Sequence, residues 1–134
     1  MSDKSAHRMH CSGSRAEETE GVFDLEITLG RLGGNRELFA KLVHFYFDDA
    51  PQLIDQLRRA AVHGEVVQVE RAAHTLKSLA ANFEALAAAR AALQVEEFAH
   101  ARNLGSAIEC IPELEKQLHR LDAALADYTE DSTS

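Results

Sequence analysis

The sequence predicts an all-α domain, an antiparallel four-helix bundle with a short additional N-terminal helix. Three observations carry that expectation. Between residues 22 and 128, apolar residues recur at steps of three and four, the repeat that gives an α-helix one buried face. Ala, Leu, Glu and Arg are abundant beside two prolines and seven glycines, a composition suited to helix interiors. Nothing reads as a strand.

Taken in order, the first helix covers about residues 24–32, with Asp24 placed to cap it and Gly33-Gly34 to end it. Asn35 can cap the second, whose apolar positions are Leu38, Leu42, Phe45 and Tyr46. At "DDAPQ", Pro51 either kinks a long helix or sits in the first turn of a new one capped by Asp48 or Asp49. Leu53, Ile54 and Leu57 extend the apolar face to Ala61, and Gly64 stops it. Val62, Val66, Val69, Ala73, Leu76, Ala80 and Phe83 then alternate steps of four and three, which predicts a buried stripe on a helix over about 65–83. The next helix, about 85–101, carries Leu86, Ala89, Leu93, Val95 and Phe98, and Asn103-Leu104-Gly105 reads as a turn. The last helix carries Ile108, Ile111, Leu114, Leu118, Leu121, Leu125 and Tyr128, with Pro112 in its first turn or kinking it. Four long amphipathic helices with short connections pack most economically as an antiparallel bundle.

The 134 residues suffice for one domain. We read 1–21 as a disordered N-terminal extension, 22–128 as the bundle and 129–134 as a polar C-terminal tail. With 22 acidic and 14 basic residues, the net charge of -8 opposes nucleic-acid binding, which needs a basic stripe to neutralise phosphates. No apolar run approaches the roughly 20 residues that span a bilayer, so direct membrane insertion is not expected. The N-terminus lacks the apolar stretch of a secretory signal. Cys11 and Cys110 give no disulfide framework, which makes a reducing cytoplasm the simplest setting.

Two metal-binding patterns fall short. His7, His10 and Cys11 form H-x-x-H-C, but inside the polar extension. Glu97 and His100 give one Glu-x-x-His element of a di-metal bundle, and the stretch from Glu115 to Leu118 lacks the second. No metal or cofactor is expected on this chain. The other histidines outside the extension, except His74, are scattered over different helices as boundary or surface residues.

His74, in "AAHTLKSLAANFEA", stands apart. At about 100° per residue it lies roughly 130° from the centre of its helix's apolar stripe, so it faces water. Its neighbours at steps of three and four are Glu70, Arg71, Lys77 and Ser78, with Ala81 a turn further on the same side. An imidazole that reacts with a large partner must be reachable, and it is a competent nucleophile near neutral pH. The Lys77 ammonium could screen a phosphate acquired by the ring. Small residues at Ser78 and Ala81 would admit the partner's backbone. Geometry alone leaves open the ordinary alternative, a solvated surface pair.

The same stretch resembles the signature of histidine-containing phosphotransfer (HPt) domains, approximately His-x-Leu-Lys-Gly-Ser-Ala-x-x-x-Gly, through His74, Leu76, Lys77 and Ala80. Upstream, "LGGNRELFAKLVHFYFDDAPQLIDQL" is similar to the helical segment that precedes the histidine in that family. Downstream, "LQVEEF" resembles its apolar-Glu element, with Glu96 matching the family's glutamate. The likeness covers about 22–125 and departs from the pattern twice, with Ser78 and Glu84 where the family carries glycine.

The resemblance implies that His74 takes a phosphoryl group from a receiver-domain aspartate and passes it to another receiver. The partners would be receiver domains of a hybrid sensor kinase or a response regulator, with Mg²⁺ held by the receiver. Lys77 would stabilise the phosphate charge, and Glu70, Arg71, Ser78 and Ala81 would border the docking surface. We expect a monomer. The absence of a Gly-rich phosphate loop or Walker-type lysine agrees with a carrier that has no ATP-dependent kinase activity. Two other classes remain: a histidine-kinase dimerisation segment, which usually has an acidic residue where Thr75 stands, and a non-catalytic helical adaptor.

Overall fold

The computed structural model describes residues 22–133, and the 1–21 extension with His7, His10 and Cys11 lies outside the described residues. Among the described residues five α-helices follow one another: α1 (Leu25–Arg31), α2 (Arg36–His63), α3 (Val66–Ala81), α4 (Leu86–His100) and α5 (Leu104–Thr133). Among the described residues there is no strand. α3 packs against α2 and α4, α4 against α5, and α5 closes on α2, so the four long helices enclose one core.

Side-chain caps set the starts of three helices. Asp24 Oδ1 accepts from the Ile27 N–H at 3.0 Å, and Asn35 Oδ1 from the Leu38 N–H at 3.0 Å. Each satisfies an orphan donor of a first helical turn. Asn103 acts the same way, accepting from the Ser106 N–H at 3.2 Å, so helix α5 begins at Leu104 and includes Gly105. The turn expected at 103–105 falls instead at Ala101 and Arg102, where Arg102 takes φ +66°. α2 ends at Gly64 with φ +71°, a left-handed conformation that glycine adopts without a Cβ clash.

Both prolines sit inside long helices. α2 runs through Pro51 without a new start, and Pro112 lies well inside α5 rather than in its first turn. Each forgoes one backbone hydrogen bond that tertiary packing must offset. The backbone of α5 stays helical to Thr133, into the polar C-terminal segment.

The buried faces differ from the expected stripes in four places. On α2, Phe39, Val43 and Tyr46 are buried, while Leu38 is 40% and Phe45 58% exposed. Val62 is 81% exposed, because it closes α2 and the left-handed Gly64 breaks its phase with α3. α3 buries Val69, Ala72, Ala73, Leu76 and Ala80, with Phe83 just beyond. On α4 the core face is Ala88, Ala91, Ala92, Val95 and Ala99, while Leu86 is 51% exposed and Ala89, Leu93 and Phe98 are half-buried. Alanine is weak as a hydrophobic signal, yet its small side chain lets helices approach closely. On α5, Ala107 and Cys110 are buried and Ile108 is exposed. Cys110 is not a free thiol, and Cys11 lies outside the described residues.

An aromatic cluster fixes one end of the bundle. Phe39 meets Phe83 edge-on at 5.8 Å and Tyr128 at 5.1 Å, and Phe23 stacks on Phe39 at 6.3 Å. Such pairs add about 0.5–1.5 kcal/mol each beyond the area they bury. The Asp24 N–H donates to the Phe83 carbonyl at 2.9 Å, tying the start of α1 to the α3–α4 turn. Tyr46 is buried between α2 and α5 and donates to the Leu118 carbonyl at 3.3 Å. Burial, together with the Asp122 carboxylate, pushes its phenol pKa up, so it remains a donor.

Glu84 closes the α3–α4 turn with φ +56°, at the position where the resembled family carries glycine. Its N–H and that of Ala85 return to the carbonyls of Ala81 and Ala80, which requires the left-handed conformation. A non-glycine residue there costs about 1–2 kcal/mol, and Glu84 recovers part of that through an ion pair with Arg31. Glu84→Gly should therefore be more stable than Glu84→Ala by about 1 kcal/mol in urea denaturation, since only the glycine variant loses the strain together with the ion pair. Equal stabilities would show an unstrained backbone at this turn.

Candidate functional site

α3 presents His74 on its outer side with 59% of the side chain exposed, as the helical phase predicts. The ring is nonetheless held. His74 Nδ1 lies 2.9 Å from Glu96 Oε2, which projects from α4 and is only 17% exposed. A carboxylate is acceptor-only, so Nδ1 carries the proton and the neutral ring keeps its lone pair on Nε2. The structure thus selects one tautomer and leaves the other nitrogen available.

The second oxygen of Glu96, Oε1, is buried, and the Lys77 ammonium stands 2.8 Å from it. The approach is that of an ion pair, off the directions a hydrogen bond prefers. Burial alone would push the Glu96 carboxyl up, but Lys77 and His74 more than offset it and hold the group below the usual carboxylate range. Lys77 is 28% exposed and therefore points less freely to solvent than its sequence position suggests.

A second rung lies one turn away. Glu70 on α3 meets His100 on α4, with His100 Nδ1 2.9 Å from Glu70 Oε2. The two rungs step four residues forward on α3 and four back on α4, the register of antiparallel helices. Glu70 is thereby half-buried and paired, whereas Arg71, Ser78 and Ala81 are exposed around His74. Glu96 and His100 are the members that helical spacing on α3 could not find, because both come from the neighbouring helix. The "LQVEEF" likeness pointed to Glu96, and nothing in the sequence pointed to His100 as its companion. Within the Glu97–His100 pattern, His100 turns to Glu70 of α3.

The Hpt domain family matches residues 41–124, well over half of the chain and including both rungs. No curated protein and no solved structure matches it. The chain belongs to the Hpt domain family, the histidine phosphotransfer modules of two-component phosphorelays, which interact with receiver domains. Among the described residues no helix is long and apolar enough to cross a membrane.

The lowered Glu96 pKa fixes the sign of a pH effect. A carboxyl depressed in the folded state adds stability above its unfolded pKa, about 4.3, and loses it as pH falls through the folded value. The stability difference between the wild type and Glu96→Gln should therefore shrink between about pH 6 and about pH 3, read from urea midpoints. A difference that stays constant or widens would contradict the pairing.

Proposed function

We propose that His74 is the phosphoacceptor and that the domain relays a phosphoryl group between receiver-domain aspartates. The observation that carries this reading is the His74–Glu96 contact, which combines an exposed ring with a fixed tautomer. The Nε2 lone pair attacks the phosphorus of an aspartyl phosphate, the P–O bond to the aspartate breaks, and the aspartate leaves as a carboxylate. The ring then bears positive charge, since Nδ1 keeps its proton, and the Glu96 carboxylate offsets that charge. Return transfer reverses the step onto a second receiver, with the imidazole as leaving group.

No cofactor is needed on this chain for that sequence, and Mg²⁺ would reside on the receiver. Lys77 supports the site by keeping Glu96 ionised and in place, adding positive charge near the phosphoryl group. Arg71, Ser78 and Ala81 border the surface a receiver must approach. We read the domain as cytoplasmic and as a monomer that meets one receiver at a time, and a core formed within a single chain supports the monomer.

Incubation with a phosphorylated receiver should label the wild type with a phosphate that is labile in acid and stable in alkali. His74→Gln should remain unlabelled. Labelling of that variant at the wild-type rate would remove His74 from the role and leave a non-catalytic adaptor as the better reading.

Close approach is the other requirement, because an ångström of misplacement can cost on the order of a hundredfold in rate. Position 78 is exposed, so Ser78→Trp should keep the helical signal and melting temperature while sharply slowing transfer. A normal rate would place the docking surface elsewhere.

A further inference from the structure

We infer that Arg71, rather than Lys77, is the cation that contacts the phosphoryl group carried on His74 Nε2. The inference rests on the proposed role of His74 and divides the labour of the charged residues around it. Seen down α3, Glu70 and Lys77 fall about 40° and 60° to one side of His74, and Ser78 and Arg71 about 40° and 60° to the other. The first side belongs to α4, where Glu96 and His100 take up both residues. The second side belongs to α2. There Arg71 and Thr75 line a groove with Gln56 and Arg59 of α2.

The ring orientation decides which side the phosphoryl group occupies. Nδ1 and Nε2 lie on opposite edges of the imidazole, and Nδ1 is turned to Glu96 on α4. With Nδ1 on Glu96, Nε2 faces away from that carboxylate, and the exposed side chains on the flank of α3 opposite α4 are Arg71 and Ser78. Lys77 is on the wrong side and already committed. Moving it outward would leave the buried Glu96 Oε1 without the charge that answers it. Arg59 is also in the groove but pairs with Asp55 at 2.7 Å. Arg71 is exposed and makes no ion pair among the described residues. Its planar guanidinium offers several donors matched to phosphate oxygens. In a chain of net charge -8, an uncommitted cation at this position has a clear electrostatic use, because the phosphoryl group adds about -1.5 to -2 more.

The test uses the full chain phosphorylated by phosphoramidate, in which Nε2 attacks phosphorus, the P–N bond breaks and ammonia leaves. A cation in contact favours the dianionic phosphoryl group and lowers its second pKa, which phosphorus NMR reads directly as the resonance shifts with pH. We expect Arg71→Ala to raise that pKa by about half a unit, the size of an exposed charge contact, and Arg71→Lys to restore part of the shift. Lys77→Ala should raise it by less. A merely structural role for Arg71 would not move this titration, and its exposed position lets the variants fold.

Titration of Arg71→Ala together with the wild type, or a larger effect of Lys77→Ala, would overturn the assignment while leaving His74 as acceptor. A phosphorus signal that persists unchanged in His74→Gln would instead sink the underlying reading along with it.

Discussion

The Glu96 carboxylate is the contact on which the rest of this site depends. It sits between α3 and α4, largely shielded from water, with one oxygen on His74 and the other on Lys77. Neither half would suffice. Burial of an unpaired carboxylate favours its protonated form, and a protonated Glu96 could no longer serve as the anionic acceptor that fixes the His74 tautomer. Lys77 supplies the compensating charge, and the fall in the Glu96 pKa despite burial shows that the compensation succeeds. The exposed, reactive-looking residue is thus governed by a half-buried one that touches it.

That contact requires α3 and α4 to run close and in a fixed register. The alanines on the buried faces of both helices supply the closeness, and the Glu70–His100 rung repeats the register one turn away. The turn joining the helices contributes from the other end. Glu84 accepts a left-handed conformation, Phe83 locks into the aromatic cluster, and its carbonyl receives the Asp24 N–H from the start of α1. The short first helix, which lies outside the family match, therefore helps hold the turn that sets the partners of His74.

The paired groups also give His74 two unlike flanks. Toward α4 the charges are matched in advance, so that side gains little by meeting an anion. Toward α2 lie small and polar side chains and an arginine with no ion-pair partner among the described residues. Under the proposed assignment, a partner bearing a phosphoryl group would meet its electrostatic complement on the α2 side. This asymmetry arises from the neighbours each flank acquires.

Local signals in the sequence determined the helical class, the caps at Asp24 and Asn35, the stop at Gly64 and the outward direction of His74. Each depends on residues within a turn of one another, so spacing and side-chain chemistry were enough. The likeness around His74 also carried the family correctly. The tertiary structure decided what proximity in sequence could not reach. Continuous passage of α2 through Pro51 depends on packing that offsets a lost hydrogen bond. The core face of α4 follows its alanines, since fit against α3 outweighs the hydrophobicity of Leu86. Lys77 looks like a free ammonium when only α3 is considered, and becomes half of an ion pair once α4 packs beside it. Its commitment to Glu96, like the Nδ1 contact of His74 with the same carboxylate, exists only when two different helices are brought into register.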